Sequence, residues 1–176
     1  MPTFTLAILL IYCFLATLID LRWRKIPNVL TVSAALVGLA LAFATGGLPA
    51  MGNGLLGLLT GLVLFLPGFM LRMTGGGDVK FMAACGAFLG PFSTLYAFLL
   101  YVLAAVLWAG GYGFYAWYFK GASPPLRRYW PMVRTFFLTG QVAYVRPTSA
   151  EAMGQRVPMA PAIAFGTAAA ALFFPT

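Results

Sequence analysis

Long apolar runs, broken only by short connectors, make up most of this chain. Of its 176 residues, 62% are hydrophobic and 8% are charged, whereas soluble domains average roughly 25% charged residues. A water-facing surface cannot be built from so few charges, and a helix that crosses a bilayer needs about 20 mainly apolar residues. The sequence therefore predicts an all-α, polytopic membrane helix bundle, with residues 1–176 forming a single membrane-embedded domain.

Connectors rich in charge, glycine or proline divide the apolar sequence into six predicted transmembrane helices. The first run has no basic segment before it, as a signal peptide would have, so we expect it to be retained as a span. Proline disrupts a helix, so Gly90-Pro91 should divide the long apolar stretch that begins at Val79. The predicted spans are residues 3–19, 28–45, 51–71, 77–90, 92–118 and 158–175.

Basic residues occur only in alternate connectors. All eleven Lys and Arg residues follow the first, third and fifth predicted spans. Cytoplasmic loops are enriched in Lys and Arg, so these connectors are expected in the cytoplasm and both termini outside it. The net charge of +8 then reflects topology in the inner (cytoplasmic) membrane and not a nucleic-acid partner. Residues 127–147 mix arginines with aromatic side chains, which suits a segment in the cytoplasmic interface.

Histidine is absent from the sequence, and only two cysteines occur, Cys13 and Cys85. Ser–His and Cys–His nucleophiles are excluded because both need histidine. Structural zinc needs four Cys or His ligands, so no metal site is expected. The cysteines are predicted to be small packing residues. The glycine pairs at the ends of Gly57–Gly61 and Gly86–Gly90 predict sites where helices of the bundle pack closely.

Only three residues are acidic: Asp20, Asp78 and Glu151. Ionisable groups at the membrane are costly and usually functional. Asp20 follows the first predicted span and Asp78 begins the fourth, so the topology brings both to the cytoplasmic face. If two carboxylates approach closely they share one proton, and the pair can then activate water and polarise a peptide carbonyl. Peptide hydrolysis by such a pair needs neither metal nor histidine. Glu151 lies in a basic connector and needs no special explanation.

Structural roles for the two aspartates remain open at this point. Asp20 pairs with Arg24 if the first helix continues that far. Asp78 can accept hydrogen bonds from backbone N–H groups at the start of its helix. Lys80 is two residues from Asp78 and points away from it on a helix, so we expect it to anchor the chain at the membrane surface.

Three stretches resemble motifs of the type IV prepilin peptidase family, the GxGD intramembrane aspartic peptidases. Asp20, followed by Ile26-Pro27-Asn28, resembles the first catalytic aspartate and an Ile-Pro-Asn element. The stretch Gly75–Lys80 resembles the GxGDxK motif, with Asp78 as the second aspartate. Residues 157–166 resemble the proline-rich start of the last helix. The resemblance implies catalysis by the two aspartates, with supporting roles for Gly75, Gly77, Lys80, Pro27, Asn28, Pro158 and Pro161.

The resemblance also implies a substrate and a subfamily. The substrate would be a prepilin, whose basic leader stays in the cytoplasm while its apolar helix sits in the lipid. Longer members add a domain with paired cysteines and methylate the new N-terminus. This chain has no CxxC pair and resembles the short branch that serves tight-adherence pili, so cleavage without methylation and without a cofactor is expected. Residues 75–77 are expected to use positive φ to let another backbone approach the aspartate.

Several other functions remain open from the sequence. One alternative is a preflagellin-type peptidase. Another is a GxGD protease of the presenilin kind, although that group resembles a Tyr-Asp motif at its first aspartate and Ile19 precedes Asp20 here. An alternative of a different class is a small transporter or a pilus-assembly scaffold that uses the aspartates to bind protons or ions.

Overall fold

A computed structural model describes residues 2–70, 74–120 and 158–174. Within these residues the chain is helical and contains no strand, which confirms the predicted all-α class. The helices are α1 (Thr3–Trp23), α2 (Asn28–Met70), α3 (Gly76–Lys120) and α4 (Ala160–Phe173). The predicted interfacial segment 127–147 and Glu151 lie outside the described residues.

Glycines bend the two longest helices, α2 near its middle and α3 about a third of the way along. Helix α2 has 43 residues and α3 has 45, so each would be about 65 Å long if straight, roughly twice the thickness of the hydrocarbon core. Backbone angles are non-helical at Gly46 and Gly47 in α2 and at Gly90 in α3. Gly47 and Gly90 have φ of 66° and 74°, which glycine adopts most readily. The bends lie at the predicted breaks, and the described residues then form six helical segments, which correspond to the six predicted spans.

Apolar surface covers the outside of these helices. Helix α1, helix α2 and residues 76–108 of α3 are long and apolar enough to cross a membrane, and α4 is a shorter apolar helix. Many large apolar side chains point outward, including Phe14, Leu36 and Leu103. Soluble proteins rarely expose so much contiguous apolar surface. These features agree with the predicted helical membrane bundle.

Two helix ends differ from the prediction. Helix α1 continues to Trp23, and the backbone N–H of Arg24 still donates to the carbonyl oxygen of Asp20 at 2.8 Å. Asp20 therefore lies in the last turn of a helix and not in a connector. Helix α4 covers residues 160–173, somewhat less than the predicted span 158–175.

The chain divides into two compact units, one of residues 1–105 with 158–176 and the other of residues 106–157. In the described part of the second unit, the rings of Phe114 and Tyr118 stack one turn apart on α3, with centroids separated by 6.3 Å. The first unit contains both aspartates. The assignment of residues 1–176 to a single domain stays a prediction.

The segment of α3 before its bend is the centre of the first unit, because residues 81–90 are all buried. The second segment of α2 packs against it through glycines. A Cβ atom added to Gly57 would overlap the carbonyl oxygen of Gly86, and one added to Gly61 would lie 2.7 Å from the carbonyl oxygen of Met82. Gly57 therefore packs against both glycines of the second predicted pair, Gly86 and Gly90, and Gly61 packs one turn away against Met82, both at backbone-contact distance.

A pair of thiols joins α1 to the same central segment. Cys13 and Cys85 are both buried in the hydrophobic core, and their thiols lie close enough to interact with each other. Their predicted packing role is confirmed, whereas their mutual contact was not predicted. Helix α1 thus lies directly against the central segment of α3.

Oxidation of the purified protein with copper phenanthroline should join Cys13 to Cys85, because the two buried thiols lie close together. Cyanogen bromide cuts after Met51 and Met82, so it places the cysteines on separate fragments. Mass spectrometry without reduction should find these fragments linked, and the Cys13→Ala variant should not yield the linked pair. If both thiols were consumed and the fragments stayed separate, the packing of α1 on α3 would be wrong.

Candidate active site

Asp20 connects the end of α1 to the beginning of α4. The residue is only 5% exposed, and its Oδ2 atom accepts a hydrogen bond of 3.0 Å from the backbone N–H of Ala160, the first residue of α4. The first N–H groups of a helix have no partner within the helix, and the helix dipole attracts negative charge there. The buried carboxylate is therefore held by the N-terminus of the last helix.

The alternative role for Asp20, an ion pair with Arg24, is not found among the residues that the structure describes. Arg24 ends α1 in the left-handed conformation, with φ 53° and ψ 35°. An i, i+4 pair requires both residues to be helical, and this conformation takes the Arg24 side chain off the helical position.

Asp78 lies in the first turn of α3. Its Oδ2 atom accepts a hydrogen bond of 3.2 Å from the backbone N–H of Gly75, the residue just before the helix. An acidic side chain that reaches back from the third helical position in this way satisfies an otherwise unpaired N–H group. The structural role considered for Asp78 is therefore present. Asp78 is half-buried, so it is more accessible than Asp20.

The contact between α1 and α3 brings the two aspartates together. Cys13 lies about two turns before Asp20 on α1, and Cys85 lies about two turns after Asp78 on α3. Two turns return to the same face of a helix, and these helices run in opposite directions. The thiol contact therefore places both carboxylates on facing sides at one level. They are close enough for the charge of Asp20 to act on Asp78.

The glycines of the GxGD stretch leave room for neighbouring atoms. A Cβ atom added to Gly77 would lie 3.3 Å from the Cβ atom of Ile26 and 3.5 Å from its backbone nitrogen. One added to Gly75 would lie 3.1 Å from Oδ2 of Asp78. The expectation of positive φ at residues 75–77 is wrong, because the described residues have positive φ only at Arg24, Gly47 and Gly90. Close packing, and not an unusual backbone, explains Gly77 here.

A hydrogen bond joins two of the predicted supporting residues. The Nζ atom of Lys80 donates to Oδ1 of Asn28 at 2.9 Å. Pro27 stands just before α2, and its carbonyl oxygen accepts from the N–H groups of Leu30 and Thr31. Together with the Gly77 contact, this bond docks the Ile-Pro-Asn element onto the stretch that carries Asp78.

The proline-rich segment begins α4 at the same site. Pro158 precedes the helix and Pro161 lies in its first turn, where a missing N–H group costs little. One turn and a half further on, a Cβ atom added to Gly166 would lie 2.5 Å from the carbonyl oxygen of Ala97 and 2.7 Å from the backbone nitrogen of Tyr101. Helix α4 therefore packs between α1 and the second segment of α3.

Tyr101 is a residue near the aspartates that the sequence did not single out. It is 7% exposed, and its phenol lies within electrostatic range of the Asp78 carboxylate. A tyrosine in an apolar run normally indicates packing. The sequence signal that could have found it is its position. Tyr101 lies about as far after the bend at Gly90 as Asp78 lies before it, so a chain that folds back at Gly90 brings the two residues to a similar level.

Asp20 and Asp78 are the two acidic side chains in the described part of the chain. Among the described residues, no group of three or more His, Cys, Asp or Glu side chains stands together to hold a metal ion. The absence of a metal requirement stays a prediction. A buried carboxylate beside a half-exposed one is suited to proton transfer, since one can hold a proton while the other accepts one.

Comparison with known proteins identifies the family. The sequence profile of the type IV leader peptidase family matches residues 7–110, a region that includes both aspartates, the Ile-Pro-Asn element and the GxGD stretch. No curated protein and no solved structure gives a significant match. The matched region covers more than half of the chain, and the chain therefore belongs to the type IV leader peptidase family and is a membrane peptidase.

Proposed function

We propose that this protein is an intramembrane aspartic endopeptidase that removes the basic leader peptide from a prepilin at the cytoplasmic face of the inner membrane. The observation that carries the proposal is the approach of Asp20 and Asp78 at one level of the bundle. Family membership supports the peptidase activity. The two carboxylates supply the acid and the base that peptide hydrolysis needs.

In the proposed mechanism, the two aspartates share one proton. The ionised carboxylate takes a proton from a water molecule, whose oxygen attacks the carbonyl carbon of the scissile peptide bond. The protonated carboxylate donates to the carbonyl oxygen and stabilises the charge that develops there. Collapse of the tetrahedral intermediate passes a proton to the leaving amine, which restores the shared proton.

Each structural bond of the aspartates also suits this mechanism. The Ala160 bond fixes the Asp20 carboxylate, and the Gly75 bond fixes that of Asp78, with one oxygen used in each. A carboxylate has two oxygens and about four acceptor positions, so both groups keep the capacity to hold water or substrate. Fixed side chains lose less entropy in the transition state, which is the advantage of a preorganised site.

The substrate assignment follows from the charge pattern and the lipid-facing surface. All Lys and Arg residues fall in three predicted connectors or in the helix ends beside them, which supports a multi-pass topology with those connectors and the aspartates at the cytoplasmic face. A bond between a basic leader and an apolar helix would lie at that depth. The lack of a CxxC pair in these 176 residues supports cleavage without N-methylation, as in the tight-adherence branch.

Incubation of the purified protein with a candidate prepilin in detergent should remove the leader and leave a free amine on the new first residue. The measurement is the intact mass of the pilin before and after incubation, with S-adenosylmethionine present. Hydrolysis in detergent needs no ion gradient, so it would exclude transport as the complete function. An N-methyl group on the product would refute the absence of methylation, and an uncut prepilin in lipid and detergent alike would refute the substrate assignment.

A further inference from the structure

A cavity of about 380 Å³ lies at the end of the bundle opposite the aspartates. On α1 it is lined by Thr5, which stands about 22 Å along the helix from Asp20. On α3 it reaches the bend at Gly90, about 18 Å along the helix from Asp78. Both segments of α2 supply the remaining walls. The cavity is therefore separate from the candidate active site.

The walls of the cavity combine apolar surface with three uncharged polar side chains. Residues 87–90 of α3 are apolar and buried, whereas Thr5 of α1 and Thr45 and Asn53 of α2 are polar. None of the described residues that line the cavity is charged. Pockets of about 300–1,000 Å³ with a mainly apolar lining and a few converging polar groups are typical of small-molecule sites. These walls suit a ligand that is uncharged where it contacts them and partly apolar.

Two of the polar side chains are placed to donate hydrogen bonds to such a ligand. Thr5 is 7% exposed, and its hydroxyl is buried without a partner in the described part of the chain. An unpaired buried hydroxyl is costly, and threonine has two common rotamers in a helix, so it can turn towards an acceptor in the cavity. The amide nitrogen of Asn53 lies at the bend of α3, because a Cβ atom added to Gly90 would be 2.8 Å from it. The ligand should therefore bring acceptors.

We propose that this cavity binds a membrane phospholipid through the ester carbonyl oxygens of its glycerol region, with part of an acyl chain against residues 87–90. Ester oxygens accept hydrogen bonds and cannot donate them, so they complement Thr5 and Asn53. The cavity lies where apolar helical segments begin and end, which is the level at which the hydrocarbon core of a bilayer meets its polar region. Because the described walls carry no charge, the phosphate headgroup stays in water and is not selected. Lipid binding here is independent of the proposed peptidase activity.

The purified full chain, freed of lipid in detergent, should distinguish an ester-linked phosphatidylcholine from its ether-linked counterpart, which lacks the carbonyl oxygens. Two hydrogen bonds should make the ester lipid bind about 10-fold to 100-fold more tightly. Native mass spectrometry measures the retained lipid, and the apparent melting temperature should rise more with the ester form, because a ligand of the folded state stabilises it. An ester-linked phosphatidylglycerol should bind as tightly as the phosphatidylcholine. Equal binding of ester and ether lipids, or a strong preference for the anionic headgroup, would overturn the proposal.

Variants of the cavity walls locate the bound lipid. Thr5→Val and Asn53→Leu each remove one donor and should weaken binding of the ester lipid by about 5-fold to 10-fold. Thr60→Val is the matched control, since Thr60 lies on α2 outside the cavity and donates to the carbonyl oxygen of Leu56 at 2.8 Å; it should bind lipid as the unaltered protein does. Ala42→Leu should fill the cavity and abolish binding. If it bound the ester lipid normally, the lipid would lie elsewhere and the proposal would fail. The ester and ether comparison needs no variant, so it decides the matter even if one of these does not fold.

Discussion

Replacement of either Asp20 or Asp78 by asparagine is expected to abolish prepilin cleavage while the protein stays folded in the membrane. Asparagine keeps an acceptor oxygen, so it can preserve the bonds to Ala160 and Gly75, but it cannot act as a base or supply an acid proton. Groups that act as a unit fail together, so each variant should lose on the order of 10⁴-fold in kcat and the double variant little more. The measurement is the rate of prepilin processing at matched protein levels.

The asparagine variants separate the chemical role of each aspartate from its structural role. Asp20→Ala should differ from Asp20→Asn in stability, since alanine removes the acceptor that holds the first N–H group of α4. If Asp20→Ala and Asp20→Asn were equally stable and equally inactive, the structural role of Asp20 would be excluded and only its chemical role would remain.

Two further variants serve as controls for charge. Arg24→Gln should keep most activity, because Arg24 does not pair with Asp20 in the described part of the chain. Glu151→Gln should be close to silent, since no motif surrounds that residue. Near-normal processing by either asparagine variant would remove the catalytic assignment of that aspartate.

The positions of the helix bends, and the placement of both aspartates at one end of the bundle, could be predicted from the sequence. Both depend on which residue types stand at which positions along the chain. Glycine at position 90, followed by proline, interrupts a helix wherever it stands. The distribution of basic residues over alternate connectors predicted that Asp20 and Asp78 share one face, and the structure places them within electrostatic reach. Neither inference needed the packing of one helix on another.

Contacts that depend on packing could not be predicted from the sequence. The Lys80–Asn28 bond, the Asp20–Ala160 bond and the Cys13–Cys85 contact each join residues from different helices. Which turn of one helix meets which turn of the next depends on how side chains and glycines fit together. The same reason explains the wrong expectation of positive φ at residues 75–77, since a glycine can be needed for space alone.

Substitution of Gly57 or Gly86 by alanine should destabilise the protein strongly, because each added Cβ atom would overlap the backbone of the facing helix. Backbone atoms cannot move aside as a flexible side chain can. Overpacking of this kind costs about 1–3 kcal/mol or more, and the first unit packs around this contact. The apparent melting temperature in detergent should fall for both variants, and activity should fall with it as the central segment that carries Asp78 shifts.

Gly52→Ala is the matched control on the same helix, since nothing lies within 4 Å of the Cβ atom it would add. Alanine in an open helical position is more favourable than glycine by about 0.5–1 kcal/mol, so this variant should melt at the same or a higher temperature. The two substitutions on α2 therefore have opposite expected signs, although the chemical change is identical. If Gly57→Ala were as stable as Gly52→Ala, α2 could not lie at backbone contact with α3, and the packing that sets the level of Asp78 would have to be revised.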